Sequence, residues 1–174
     1  MLFQTDTSYS QELLAAYTYA YKIGITTIPD IEKAQLEGQL IRKDLAKMMV
    51  NFAIKQLGKT PNTGLNCSFN DMKNETLERQ QYARLACQLH IMGHNPDGSL
   101  SKQFSPNDLV TRAQFGTVLS RVLWGNLYNG GVTYYLNHLK ALQKIGIVKT
   151  ISNADALEKR GYVMLMLMRS SEIK

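Results

Sequence analysis

Val110-Thr111-Arg112-Ala113-Gln114-Phe115 reads as the opening of a helix, and its recurrence decides the fold. Thr111 stands where an N-cap hydroxyl accepts from the amide three residues on. Gln114 is placed to reach back to the Thr111 amide, which completes a capping box. Phe115, Val118, Leu119 and Val122 then follow at helical spacing as one apolar stripe. The same word stands upstream as Ile41-Arg42-Lys43-Asp44-Leu45-Ala46. It returns downstream, degenerate, as Glu158-Lys159-Arg160-Gly161-Tyr162-Val163, a match that puts Lys159 at the arginine position. A second word precedes each copy. Lys22-Ile23-Gly24-Ile25 matches Lys144-Ile145-Gly146-Ile147, and His90-Ile91-Met92-Gly93 holds the same place between them.

Working outward, helical periodicity dominates the rest. Leu13, Leu14, Tyr17, Ala20 and Tyr21 form one stripe, and Leu45, Met48, Met49, Phe52, Ala53 and Leu57 another. Tyr82, Leu85, Ala86 and Leu89 form a third, and Tyr135, Leu136, Leu139, Leu142 and Ile145 a further one. Tyr162 to Met168 is apolar all round, the pattern of a buried helix. Gly24, Gly58, Gly93, Gly125 and Gly146 each follow such a run, where a helix end calls for positive φ. No stretch sustains a period of two, so strands are expected to be short at most. Pro61-Asn62-Thr63-Gly64 and Asn129-Gly130-Gly131 read as connectors. They divide one domain, residues 1–174, into thirds of about 1–60, 61–127 and 128–174, each a helix, a loop and a helix. A recurring unit of this kind cannot bury its apolar face alone. The expected fold is therefore all-α, with three helix–loop–helix units packed on one another.

Composition sets outer limits. The 174 residues carry 20 Lys plus Arg against 14 Asp plus Glu, a formal charge of +6, with 44% apolar and 20% charged residues. Those values fit a globular chain with a core rather than a disordered one. Two cysteines exclude a disulfide scaffold and a four-cysteine zinc site. No apolar run approaches the ~20 residues of a membrane span. Met1-Leu2-Phe3-Gln4-Thr5-Asp6 lacks the basic and apolar regions of a secretory signal, so the chain is expected to be cytosolic or a piece of a longer exported protein.

The middle third resembles a known family. It runs Phe69-x-Asp71, Ala86-Cys87-x-Leu89, Ile91-Met92-Gly93, Asp97-Gly98, Phe104-x-Pro106 and Val110-Thr111-Arg112-Ala113-Gln114-Phe115 in order. This is similar to the S-layer homology module of bacterial surface proteins, with Gln114 where the family has Glu. The outer thirds keep the outline with substitutions. The resemblance implies three tandem modules closed into a pseudo-threefold helical bundle with a groove between each pair. It implies a non-catalytic anchor on the outside of the cell, without cofactor, that holds an acidic, often pyruvylated, secondary cell-wall polysaccharide in those grooves. By the same resemblance Arg112 is the first ligand-contact candidate, Arg42 the second and Lys159 the third. Thr111 and Gln114 complete the set as the motif's own neighbours. Arginine suits the role because its planar fork meets a carboxylate in bidentate fashion. Helix N-termini beside Arg42 and Arg112 would add unpaired amides and a favourable dipole.

Other residues have competing readings. Cys67 and Cys87 either pair, clamping the Phe69 loop to the next helix with a gain of roughly 3 kcal/mol, or stay as buried thiols. Trp124 and the tyrosines read chiefly as core, with Tyr128, Tyr134 and Tyr135 the more exposed. His90 and His94 lie four apart, but Gly93 between them breaks the helical face a metal would need. Asp97-Gly98-Ser99 reads as a turn. No nucleophile elbow or phosphate-cradling loop is present to argue for an enzyme. The basic residues are scattered rather than gathered on one recognition helix, which argues against nucleic acid. The alternative to the anchor is a surface-layer or assembly module whose degenerate grooves serve contacts with other surface-layer proteins.

Overall fold

Helix starts and stops follow the local chemistry read from the sequence. In this computed structural model, which describes residues 9–173, Ser10 caps α1 (Gln11–Ile23) by accepting from Leu13 N at 3.2 Å. Gly24 ends α1 in the left-handed conformation, φ 78°. α2 (Arg42–Asn51) runs into a π-helical turn, Phe52–Gln56. A 3-10 turn, Asn70–Met72, precedes α3 (Leu77–Gln88). α4 (Arg112–Trp124) opens on the expected capping box of Thr111 and Gln114. α5 (Leu136–Lys144) and α6 (Arg160–Ser171) complete the set. The protein is all-α. Extended pairing among the described residues is confined to four isolated bridges. No described helix is long and apolar enough to cross a membrane. Residues 1–6, which the leader reading concerned, lie outside the described residues.

Three of those bridges close a cycle. Ile41 pairs with Leu109, Thr111 with Leu157, and Lys159 with Gln39. Val110 N donates to Leu40 O (2.9 Å), Glu158 N to Val110 O (2.8 Å) and Leu40 N to Glu158 O (3.2 Å). The first two amides of each following helix are spent the same way. Arg42 N and Lys43 N donate to Asp108 O and Pro106 O, and Arg112 N and Ala113 N to Ala156 O and Ala154 O. Arg160 N and Gly161 N donate to Gly38 O and Leu36 O. Helix N-termini leave amides without intrahelical partners; here the loop of another third satisfies them. The residue before each accepting loop is left-handed: Gln35 (φ 52°), Ser105 (φ 57°) and Asn153 (φ 57°).

This pattern corrects two registers. Arg160, not Lys159, corresponds to Arg42 and Arg112, and Lys159 sits at the N-cap with Ile41 and Thr111. Lys159 and Arg160 are adjacent and both basic, so side-chain type alone does not separate them. Likewise His90, not Gly93, matches Gly24 and Gly146. Ile25 N, Ile91 N and Ile147 N donate to Ala20 O, Ala86 O and Leu142 O at 2.8, 2.9 and 3.0 Å, and His90 is left-handed at φ 57°. Gly93 is needed for another reason: a Cβ there would lie 2.6 Å from Cζ of the Phe69 ring.

The helices of one third are not each other's main partners. α1 packs chiefly on α6, α2 on α3, and α4 on α5, so each packed pair joins two different thirds. One apolar core fills the middle, with Phe52, Phe104, Phe115, Met49 and Leu119 essentially sealed from water. Five successive residues of α6, Val163 to Leu167, are buried, as the continuous apolar run required. Cys67 and Cys87 form a disulfide that ties the connector to α3. The Asp71 carboxylate accepts from Phe104 N (2.8 Å) and Ser105 N (2.7 Å), which fixes the middle loop against its own third.

Candidate ligand grooves

Each motif arginine reaches across a junction between thirds. Arg42 Nε donates to Phe104 O at 2.8 Å, and its guanidinium lies 5.4 Å over the Phe104 ring. Arg112 Nη1 donates to Ser152 O (2.9 Å), and its Nε meets Glu158 Oε1 at 3.4 Å. Arg160 Nη2 meets Asp44 Oδ2 at 2.8 Å, and its Nη1 meets Gln35 Oε1 at 3.3 Å. A structural arginine is expected to bond a loop of its own third; these bond the loop of another. The amides that were to help Arg42 and Arg112 hold an anion are already committed to loop carbonyls.

Two grooves occupy corresponding positions. The larger has a volume of 450 Å³ and is walled by Val148, Lys149 and Thr150, by Tyr162 and Met166 of α6, and by Arg112. The smaller, 290 Å³, is walled by Thr26, Thr27 and Ile28, by Asp44 and Met48 of α2, and by Arg160. In each case the segment after a helix end and the following helix come from one third, and the arginine from the third packed before it. Arg42 lines neither groove.

The charges in these grooves are largely spoken for. Glu158 is buried, 4% exposed, at the place where the other two segments carry Leu40 and Val110. Burial raises its pKa above the ordinary value, and Arg112 opposes the rise. Burial likewise lowers the pKa of Arg42, opposed by Asp108 and Asp71. Lys159 donates to Glu37 Oε2 at 2.7 Å, and that hydrogen bond raises its pKa. Arg169 holds Glu12 at 2.7 Å and keeps that carboxyl below its usual range.

Of the residues proposed from sequence, Arg112 and Lys159 share the larger groove, while Thr111 and Gln114 are occupied with each other in the capping box. His90 and His94 stack at 5.1 Å, and the His94 nitrogens face the carbonyls of Cys87 and Gly98 rather than a shared centre. Asp97 closes a turn on Ser99, as read. Tyr134 is 56% exposed, while Tyr128 and Tyr135 are half-buried. Sequence reasoning passed over Glu158, Arg160, Tyr162, Lys149 and Arg169. The tandem Lys159-Arg160 was the available signal for Arg160, and a lone Glu beside a buried apolar helix the signal for Glu158. No protein-family model matches the chain, and no curated protein matches it.

Proposed function

We propose that this chain is a non-catalytic domain of the S-layer homology type, with three units arranged pseudo-threefold about the hydrogen-bonded cycle. It anchors a protein at the bacterial cell surface by holding an acidic wall polysaccharide. The observation that carries this reading is the pair of grooves at corresponding places, each combining the helix and loop of one third with the motif arginine of another. Such a groove presents fixed cationic donors beside apolar surface, which suits a sugar ring bearing a carboxylate. Wall sacculi carrying pyruvylated polymer should retain the purified domain. Arg112→Ala should weaken that retention several-fold while the thermal melt is followed in parallel. Equal retention by chemically depyruvylated sacculi would overturn the reading.

One observation favours assembly instead. Arg112 and Arg160 each already face a carboxylate of this chain. An incoming anion must compete with it, whereas a protein surface need not. An assembly module forms oligomers or sheets without polymer, so a monomer whose mass does not change with concentration in light scattering excludes it.

A further inference from the structure

We propose that the two grooves are not equivalent. The groove of Arg112 takes the acidic sugar, and Tyr162 is its stacking platform. This rests on the anchoring reading above, which supplies the class of ligand, and goes further in naming the groove and the platform.

The third residue of the motif helix makes the difference. It is Asp44 in α2, Gln114 in α4 and Tyr162 in α6. In the smaller groove Asp44 meets Arg160 at 2.8 Å. The other two cations lining that groove are also paired, Lys47 with Glu78 at 2.9 Å and Lys33 with Asp30 at 3.8 Å. An anion entering there finds no cation without a carboxylate, and it meets the Asp44 charge as repulsion. The larger groove also pairs most of its cations, Arg112 with Glu158 at 3.4 Å, and Lys159 with Glu37 and Arg169 with Glu12 at 2.7 Å, but it differs in the third helix residue and in one further lysine. Tyr162 replaces the acid, and the residue is 46% exposed with Lys159 Nζ 5.8 Å from the ring centroid. Lys149 has no carboxylate within ion-pair distance among the described residues. Arg112 uses Nε and Nη1 internally and leaves its Nη2 edge uncommitted among the described residues.

These groups suit a sugar that carries one carboxylate. An aromatic face accepts the apolar C–H face of a pyranose. One guanidinium edge and one ammonium neutralise one carboxylate, not a polyanion.

The experiment titrates the full chain with a ketal-pyruvylated methyl hexoside and with its depyruvylated counterpart, followed by amide chemical shifts and calorimetry. The pyruvylated probe is expected to shift the amides of Val148, Lys149 and Thr150. Tyr162→Ala should weaken its binding about tenfold, while Tyr162→Phe keeps it within about twofold. Shifts at Thr26, Thr27 and Ile28 instead would overturn the choice of groove. Tyr162→Ala binding as tightly as the unaltered chain, while Arg112→Ala binds more weakly, would overturn the platform and leave anchoring intact. An unaltered chain that binds neither probe nor sacculi would overturn the anchoring reading itself.

Discussion

Glu158→Leu should make the protein more stable at neutral pH, and the size of the effect follows from where Glu158 sits. Leu40 and Val110 fill the corresponding places in the other two segments, and both are sealed from water. Glu158 is buried like them and brings a carboxylate whose only ion-pair partner among the described residues is Arg112 at 3.4 Å. Removing that partner costs Arg112 little, because its side chain is 27% exposed and keeps the bond to Ser152 O. On the Glu158 side the pair is buried, 5% exposed, so desolvation of the carboxylate offsets most of its attraction to Arg112. Fully burying a leucine side chain contributes about 1.5–3 kcal/mol, part of which the Glu158 methylenes already supply. The net gain is about 1 kcal/mol, or a rise of about 2–4 °C in Tm for a chain of this length. The gain also depends on pH. The folded Glu158 carboxyl has its pKa raised above the ordinary 4.5, so the folded state holds this proton more firmly than the unfolded state. The parent protein therefore loses stability as pH rises through the interval between those two values, and the Glu158→Leu variant, with no carboxyl there, does not. Urea unfolding of both chains near pH 7 and near pH 4 should give a larger advantage for the variant at the higher pH. A variant less stable than the parent near pH 7, or an advantage that does not change with pH, would refute the reasoning.

Two further predictions concern other parts of the core. His138 is fully buried, with Nδ1 2.8 Å from Ser120 Oγ and no partner for Nε2 among the described residues. Burial, with Arg121 adding to it, lowers its pKa below 6.5. Its stabilising contribution is complete above the unfolded value and is lost as pH falls toward the folded one. The parent should lose stability relative to His138→Gln when urea midpoints of both are compared from about pH 7.5 down to about pH 5; a constant difference contradicts this. Cys67→Ala together with Cys87→Ala should cost roughly 3 kcal/mol in the same assay. Reductant should lower the parent's midpoint and leave the double variant unmoved.

Helix positions were legible because their causes are local: the Ser10 and Thr111 caps, the apolar stripes, the glycine at the end of α1. The relation between thirds was less so. Lys22-Ile23-Gly24-Ile25 and its match at Lys144 are true equivalents by hydrogen bonding, yet the middle copy misleads, since His90 adopts the left-handed conformation that glycine holds elsewhere. Residue identity aligns Gly93 instead, which is glycine for the sake of the Phe69 ring. The same applies to Lys159 against Arg160. Both of these adjacent bases donate to the first third, so residue type does not say which of them holds the register of Arg42 and Arg112; backbone partners do. The pairing of Arg112 with Glu158, or of Arg160 with Asp44, joins residues far apart in the chain, and no periodicity reports it.

The cycle also limits what any arginine substitution can teach. Arg112 ties the second third to Ser152 and Glu158 of the last, and the same guanidinium offers its free edge to the groove. Arg112→Ala therefore removes a junction contact and the proposed ligand donor together, and weakened retention of the proposed wall polymer would follow from either loss. Tyr162 and Lys149 do not share this ambiguity. Tyr162 is half exposed at the third position of α6, where Asp44 and Gln114 stand in α2 and α4, and it makes none of the hydrogen bonds that close the cycle through its side chain. Lys149 lies on the exposed wall without an ion-pair partner among the described residues. Loss of binding at these two positions with an unchanged melt isolates recognition from assembly of the fold, and it is on them, rather than on the motif arginine, that the choice between an anchor and an assembly module turns.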